Sequence, residues 1–507
     1  MDHFSADRDV MAHRARRTGV ALIVFSAAIL CALTLFLMFW NLGANSISIA
    51  SDEVIYVRVS QGVLHEGSFF PLMHGNVPTF EKPPLKLWLG ALAPWILGES
   101  NFSFRALDGV LGALAVLGAV VLAWRISRSA PGALAVGFLV LAMPEWIIAQ
   151  HGFRKVVLDG LLTVLILGAA LAAWRVIDKR EARRARYLFL VGVFSSLAVL
   201  TKSVAGFIPL ACAVCSICAV APRALVTRRA LWLLLPFVVF VGYVLAVWQL
   251  GGVRGLRMFL GVEIVDRAFS GFKGHNTGSR WFYLWYIFIR GGAAPRVLAW
   301  VGVVGAVWAA RRHAWARFIL VWSMLPVVAY SLSASRAPWY VAPFFPFVCM
   351  VAVFGASAIC DSVSDRKIIR ILVTSMLLVA TFVAAVSLSR SLSRNLLEVS
   401  TDTSRLPFDL LTERLRADYT KFGVLESAIS ARSNPRKGRF NVEGIYRETL
   451  KPDLVAVPDI RDLIPESQRV YFVKEESLGD LPVGWYEIGR VPAYKSRKWR
   501  VVAVVYP

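Results

Sequence analysis

The sequence predicts an all-α polytopic membrane protein with a small α/β domain at its C-terminus, on three observations. Of 507 residues, 57% are hydrophobic and 18% charged. With a mean hydropathy of +0.60, that balance lies outside the usual range of water-soluble chains. Apolar runs of spanning length recur between residues 20 and 388, and at about 20 residues per crossing they make about eleven membrane spans. From residue 391 the pattern changes to short strand-like runs between turn residues.

The first run, residues 20–40, is too long for a signal-peptide core and lacks a small-residue cleavage site with a polar flank, so it reads as a first transmembrane helix. Arg8, Arg14, Arg16 and Arg17 precede it, which predicts a cytoplasmic N-terminus. Walking the spans alternately from there puts Arg125/Arg128, the stretch from Arg175 to Arg186, Arg223/Arg228/Arg229, Arg311/Arg312/Arg317 and Arg366/Lys367/Arg370 on the cytoplasmic side. The other side receives the loop 41–105, turns near His151, Lys202 and Arg336, a long loop over 251–292, and the tail. These expectations describe an integral membrane protein whose C-terminal domain is extracytoplasmic.

The loop 41–105 is punctuated by Gly75-Asn76, Pro78 and Pro83-Pro84, and its segments 52–66 and 84–97 have the composition of amphipathic helices lying along the membrane surface. The β-branched run "VIYVRV" weakens the helical signal in the first of them. In the tail, "FDLLTERLRADY" has a helical pattern, while "DLVAVP", "RVYFVK" and "WRVVAVVYP" read as strands. The expected domains are therefore a membrane domain, 1–390, and an α/β domain, 391–507.

The formal charge of +23 does not mark a nucleic-acid protein. The tail holds 19 basic and 16 acidic residues, so most of the excess sits in the short loops between spans, where topology explains it. All six cysteines fall in or at the ends of apolar runs, so no disulfide framework is implied, and Cys212, Cys215 and Cys218 read as small packing residues.

Ionisable residues beside apolar segments are costly to retain, and here they gather on the predicted outer side. Asp52 and Glu53 follow the first helix, and Glu81 and Lys82 precede the two prolines. Arg154, Lys155 and Asp159 head another span, and Lys202 interrupts an apolar run. Glu263, Asp266, Arg267, Lys273 and His275 lie in the long loop, and Arg336 sits in "SASRAPWY". Each alone reads more readily as a solvated charge or a helix-end anchor; Lys86 reads as such an anchor, snorkelling to the surface. Together, carboxylates among Lys and Arg side chains suit a phosphate held at headgroup depth and a hydroxyl that must lose a proton. That combination describes group transfer from a phospholipid-like donor. No nucleotide-binding loop or structural-zinc spacing occurs.

The stretch "SDEVIYVRVSQGVLHEGSFFPLMHGNVPTFEKPPLKLWLGAL" resembles the first outer loop of the aminoarabinose-to-lipid-A transferases and the related protein O-mannosyltransferases, which are GT-C integral-membrane glycosyltransferases. The resemblance continues in order through "FRKVVLDGLLTVL", "AVLTKSVAGFIPL", "GFKGHNTGSRWFYLW" and "SLSASRAPWYVAPFFPF", covering roughly residues 20–358. Ser203 stands where glycine commonly follows the Thr-Lys pair, Arg336 where lysine is frequent, and "VIYVRVS" replaces a more Ala- and Glu-rich helix.

The resemblance implies a GT-C fold and a polyprenyl-phosphate-linked sugar as donor, with lipid A, a cell-envelope polysaccharide or a protein as the extracytoplasmic acceptor. It assigns Asp52 as candidate base, Glu81 and Lys82 as the loop acid and phosphate-facing lysine, and Asp159 as a second acid; Asp52 and Asp159 remain alternatives for the base. Position and chemistry add Arg58, Arg154, Lys202, His275 and Arg336 on the phosphate side. No metal is required to neutralise a monophosphate leaving group, although acids near His275 leave a divalent ion open. The alternative reading is a transporter or lipid flippase. Transporters usually hold critical charges near mid-membrane and often contain inverted repeats, and neither is visible here.

Overall fold

The computed structural model describes residues 3–43, 52–74, 77–147, 151–178, 184–270, 279–287, 293–362, 421–425, 454–457, 469–474, 485–491 and 501–505. The chain divides into two units, Met1–Ser46 with Ile55–Ser391, and Ile47–Val54 with Leu392–Pro507.

The first unit is helical. Its elements run α1 (His3–Phe39), α2 (Asp52–Glu66), a short hairpin of β1 (Leu72–His74) and β2 (Val77–Thr79), α3 (Leu85–Leu97), α4 (Asn101–Ser127), α5 (Ala130–Leu141), the single turn α6 (Pro144–Ile147), α7 (Leu158–Asp178), α8 (Arg184–Lys202), α9 (Ile208–Val220) and α10 (Leu235–Leu256). A π-helix over Arg257–Ser270 extends α10 and is followed by α11 (Phe282–Trp285), α12 (Ala293–Ala310), α13 (Ala314–Leu332) and α14 (Phe345–Ser362).

Among the described residues seven stretches are long and apolar enough to cross a membrane, with three shorter apolar helices beside them. The chain is an integral membrane protein. The sequence count of about eleven spans also drew on residues 363–388, which lie outside the described residues.

Local chemistry sets the helix ends. Ser100 and Ser103 form a reciprocal capping box at the start of α4, and Ser129 accepts from Gly132 N–H at the start of α5. Between helices, small residues allow close approach where lipid offers no hydrophobic drive. A β-carbon on Gly305 of α12 would lie 1.9 Å from the Gly355 carbonyl oxygen of α14, so this crossing packs backbone against backbone.

Two apolar stretches exceed one crossing, and each is broken next to the candidate site. Arg184–Val220 breaks at Ser203, where φ is +51° and a 3-10 turn begins. Arg228–Ser270 breaks at Gly252, whose φ of +54° and ψ of −149° belong to glycine territory. A β-carbon on neighbouring Gly251 would meet the Phe80 ring at 2.6 Å, so that glycine is what lets the chain before Lys82 seat against α10.

The described part of the second unit is a five-stranded sheet in the order β4-β3-β5-β7-β6, built from β3 (Lys421–Leu425), β4 (Leu454–Val457), β5 (Arg469–Lys474), β6 (Tyr486–Val491) and β7 (Val501–Val505). β3 runs parallel to β4 and β5, while β7 pairs antiparallel with β5 and β6. β4, β5 and β7 fall on the three runs read as strands. The helical pattern "FDLLTERLRADY" lies outside the described residues.

Candidate active site

Pro83 and Pro84 precede α3, which starts at Leu85 with Pro84 as its N-cap, so the chain enters the helix through a stiff turn. Phe80, just before that turn, belongs to a buried aromatic cluster with Tyr243, Val247 and Phe259. The Tyr243 hydroxyl donates to the Lys82 carbonyl at 3.2 Å. The backbone of Lys82 is thus fixed on both sides, and its ammonium pairs with Glu263 of the π-helix.

Glu263 is also held by Arg267, one turn on, at 3.0 Å, and Arg267 donates to the Tyr340 hydroxyl at 2.9 Å. The Glu263 side chain is only 7% exposed, against 20% and 24% for its two cations. One buried carboxylate therefore holds a lysine 181 residues earlier in the sequence and an arginine one helical turn on. The segment before Tyr340 is tied to the same helix. Ser335 N–H donates to the Arg267 carbonyl at 2.9 Å and Ala334 N–H to the Ala268 carbonyl at 2.8 Å.

A second cluster adjoins the first through Tyr340. The Lys202 ammonium lies 5.5 Å from the centre of the Tyr340 ring, within cation–π range, and pairs with one oxygen of Asp159. The other Asp159 oxygen meets His151 Nδ1 at 3.0 Å, and the His151 ring stacks on Trp339 at 4.6 Å. Asp159 is buried in the first turn of α7, where a carboxylate also favours the helix dipole. Lys82, Glu263, Arg267, Tyr340, Lys202, Asp159 and His151 form one continuous polar network.

Asp52 is exposed in the first turn of α2, in the stretch that falls with the second unit. Glu81 makes no hydrogen bond or ion pair among the described residues, and Arg58 is buried in α2. Arg336 is buried next to Tyr283, donates weakly to the Ser331 carbonyl at 3.4 Å, and its Nε has no hydrogen-bond partner among the described residues. Burial raises the Tyr283 hydroxyl above its ordinary pKa; it accepts the Ala337 N–H at 3.1 Å. His275 and Lys273 fall outside the described residues.

Arg154 serves structure. Its guanidinium donates to the carbonyls of Leu37 at 2.7 Å and Trp40 at 2.6 Å, at the C-terminal end of α1, and Arg105 donates to the Leu42 carbonyl. Those carbonyls have no intrahelical partners and sit at the negative end of the helix dipole, so two arginines satisfy them. Burial, then the neighbouring Arg105 charge, lowers the Arg154 pKa to about 10, which leaves it charged at neutral pH.

Lys86 corrects the sequence reading. It does not snorkel; its side chain is 1% exposed and pairs at 2.8 Å with Asp108 of α4, itself fully buried. Breaking one partner of such a pair costs about 3–5 kcal/mol, because the other charge stays buried.

Glu263 and Arg267 were legible only as loop charges, and His151 only as a turn histidine. The signal that could have raised the first two is their i,i+4 spacing of opposite charge, which places them on one face of a helix. Among the described residues no group of three or more His, Cys, Asp or Glu side chains is arranged to hold a metal ion.

Ser203 follows Lys202 in left-handed backbone, and its buried Oγ has no hydrogen-bond partner among the described residues. This explains why glycine is the more comfortable residue there. Ser203→Gly is expected to stabilise the protein by about 0.5–1 kcal/mol, read as a rise in the thermal unfolding midpoint in detergent. A fall would mean that the φ at this position carries no strain.

The family model described as dolichyl-phosphate-mannose-protein mannosyltransferase matches residues 28–248. The chain is 29% identical over 348 residues to the undecaprenyl phosphate-alpha-4-amino-4-deoxy-L-arabinose arabinosyl transferase of Pectobacterium carotovorum, an alignment spanning 66% of this chain and 60% of that protein. It is 30% identical over 307 residues to the transferase of that name from Pseudomonas aeruginosa, spanning 58% and 52%. The chain thus covers less than two thirds of the length of these relatives. The crystal structure of ArnT from Cupriavidus metallidurans bound to undecaprenyl phosphate superposes with a TM-score of 0.67 at 17% identity, covering 94% of this chain and 97% of that one. Its apo structure gives the same TM-score at 16% identity. In fold and in sequence the chain resembles these GT-C glycosyltransferases.

Proposed function

We propose, from that resemblance, that this chain is a glycosyltransferase that moves one sugar from a polyprenyl phosphate to an extracytoplasmic acceptor. The relatives make undecaprenyl phosphate the leading lipid and 4-amino-4-deoxy-L-arabinose the leading sugar, and the resemblance to aminoarabinose-to-lipid-A transferases makes lipid A the leading acceptor. The observation that carries the reading is the convergence of Lys82 and Arg267 on one buried carboxylate beside the Tyr340 hydroxyl. A site that holds a carboxylate between two cations has the charge and spacing to hold a phosphate.

In the reaction, the acceptor hydroxyl gives its proton to a carboxylate as its oxygen bonds to the anomeric carbon. The bond from that carbon to the phosphate oxygen breaks, and its electron pair leaves with the polyprenyl phosphate. Lys82 and Arg267 stabilise that departing charge, with the Tyr340 hydroxyl held beside them. Asp52 is the base that the resemblance assigns, with Asp159 as the alternative. Both oxygens of Asp159 are engaged by Lys202 and His151, which makes them poor proton acceptors. Asp159 then acts by fixing Lys202 against Tyr340. No step requires a metal. In this reading the N-terminus is cytoplasmic, and the C-terminal domain, residues 391–507, lies outside the bacterial inner membrane and shapes acceptor choice.

Mass analysis of envelope lipids and glycans from a deletion strain tests the proposal. The expected result is an accumulated polyprenyl-phosphate sugar and a missing decoration of equal sugar mass. Unchanged polyprenyl-phosphate sugars, with every decoration retained, would exclude it.

A further inference from the structure

Glu263 is unexpected in a site meant to hold an anion. It is an acid set directly between the two cations offered to the phosphate, and it is more deeply buried than either. It pairs with both Lys82 and Arg267. An anion there weakens the hold on any phosphate, so its effect has to be sought in a difference between two phosphates.

The transfer supplies that difference. The donor is a phosphodiester with a single negative charge at any neutral pH. When the bond to the sugar breaks with its electron pair going to the phosphate oxygen, the lipid left behind is a phosphomonoester carrying about −1.5 to −2 at pH 7. A fixed negative charge repels the second species about twice as strongly as the first. Resting on the reading of Lys82 and Arg267 as the phosphate clamp, we infer that Glu263 sets the charge preference of the clamp: it lets the monoanionic donor bind and drives out the dianionic lipid product. Glu263 is thus a specificity and release residue, acting through the two cations rather than on the sugar.

The test compares two lipids that differ by one charge, farnesyl phosphate and its methyl phosphodiester, binding to the full-length protein in detergent at pH 8. Glu263→Gln keeps the shape and the hydrogen-bond acceptor but removes the charge. It is expected to raise the ratio of monoester to diester affinity by about tenfold or more, the scale of one unit charge at this range in a partly solvated site. Glu263→Ala is expected to raise the ratio by a similar factor, which preserves the test if the Gln variant does not fold. Glu263→Asp, which keeps the charge, should leave the ratio at its wild-type value even if both affinities fall.

An unchanged ratio in the two neutral variants, with both affinities falling together, would overturn the inference and leave Glu263 as a strut for Lys82 and Arg267. Loss of fold in both neutral variants would do the same. Lys82→Met in the same assay separates this inference from the reading beneath it. If that variant holds both lipids as tightly as wild type, the clamp assignment itself has failed, whatever the ratio does.

Discussion

Asp52→Asn is expected to lower turnover by about 10²–10⁴-fold, the usual contribution of a positioned general base, while leaving donor affinity and folding close to wild type. A sugar hydroxyl is a weak nucleophile at neutral pH, and Asn has the size of Asp without its basic oxygen. The competing role for Asp52 is favourable charge at the start of α2, where it lies in the first turn. Losing that charge costs only about 0.3–1 kcal/mol and leaves catalysis untouched. Turnover at saturating donor, measured beside the thermal unfolding midpoint, separates the two. Near-normal turnover in Asp52→Asn with an inactive Asp159→Asn would transfer the role of base to Asp159.

Lys82→Met should reduce donor affinity by about 100-fold or more, because it removes a charge-assisted contact from a partly buried site. Its backbone is anchored independently of the ammonium by Phe80 and by the Tyr243 hydroxyl, so the variant is expected to fold. The informative comparison is Arg154→Met. Arg154 is engaged by the carbonyls at the end of α1, and its loss should lower thermal stability while changing donor affinity by no more than about threefold. Lys86 cannot serve as that control, since removing it takes the ammonium from the buried Asp108 carboxylate. Equal affinities in Lys82→Met and wild type would take Lys82 out of the phosphate site.

The membrane class was legible because composition and span length act over the whole chain and need no partner to be known. The turn before α3 was legible too, since two prolines restrict the backbone wherever they occur. What the sequence withheld was pairing. Lys82 and Lys86 stand four residues apart on either side of the Pro83-Pro84 turn, and nothing local says that one turns to Glu263 and the other to Asp108. Arg154 looked like a phosphate ligand because the orphan carbonyls of α1, more than a hundred residues earlier, are invisible as acceptors in a sequence. Ser203 departs from the resembling family at a position where the backbone turns left-handed, so a single-residue difference carried structural meaning that periodicity could not supply.

The most direct test of transfer is to incubate the purified full-length chain with undecaprenyl-phosphate-4-amino-4-deoxy-L-arabinose and lipid A, and to follow both lipids by mass spectrometry, with Asp52→Asn in parallel. The account predicts that the donor loses one aminoarabinose residue to become undecaprenyl phosphate while lipid A gains the same mass, with the variant slower by the factor given above. An intact donor in the presence of folded wild-type protein and lipid A would contradict aminoarabinose transfer to lipid A. Undecaprenyl phosphate appearing equally fast with wild type and Asp52→Asn would contradict the assignment of the base.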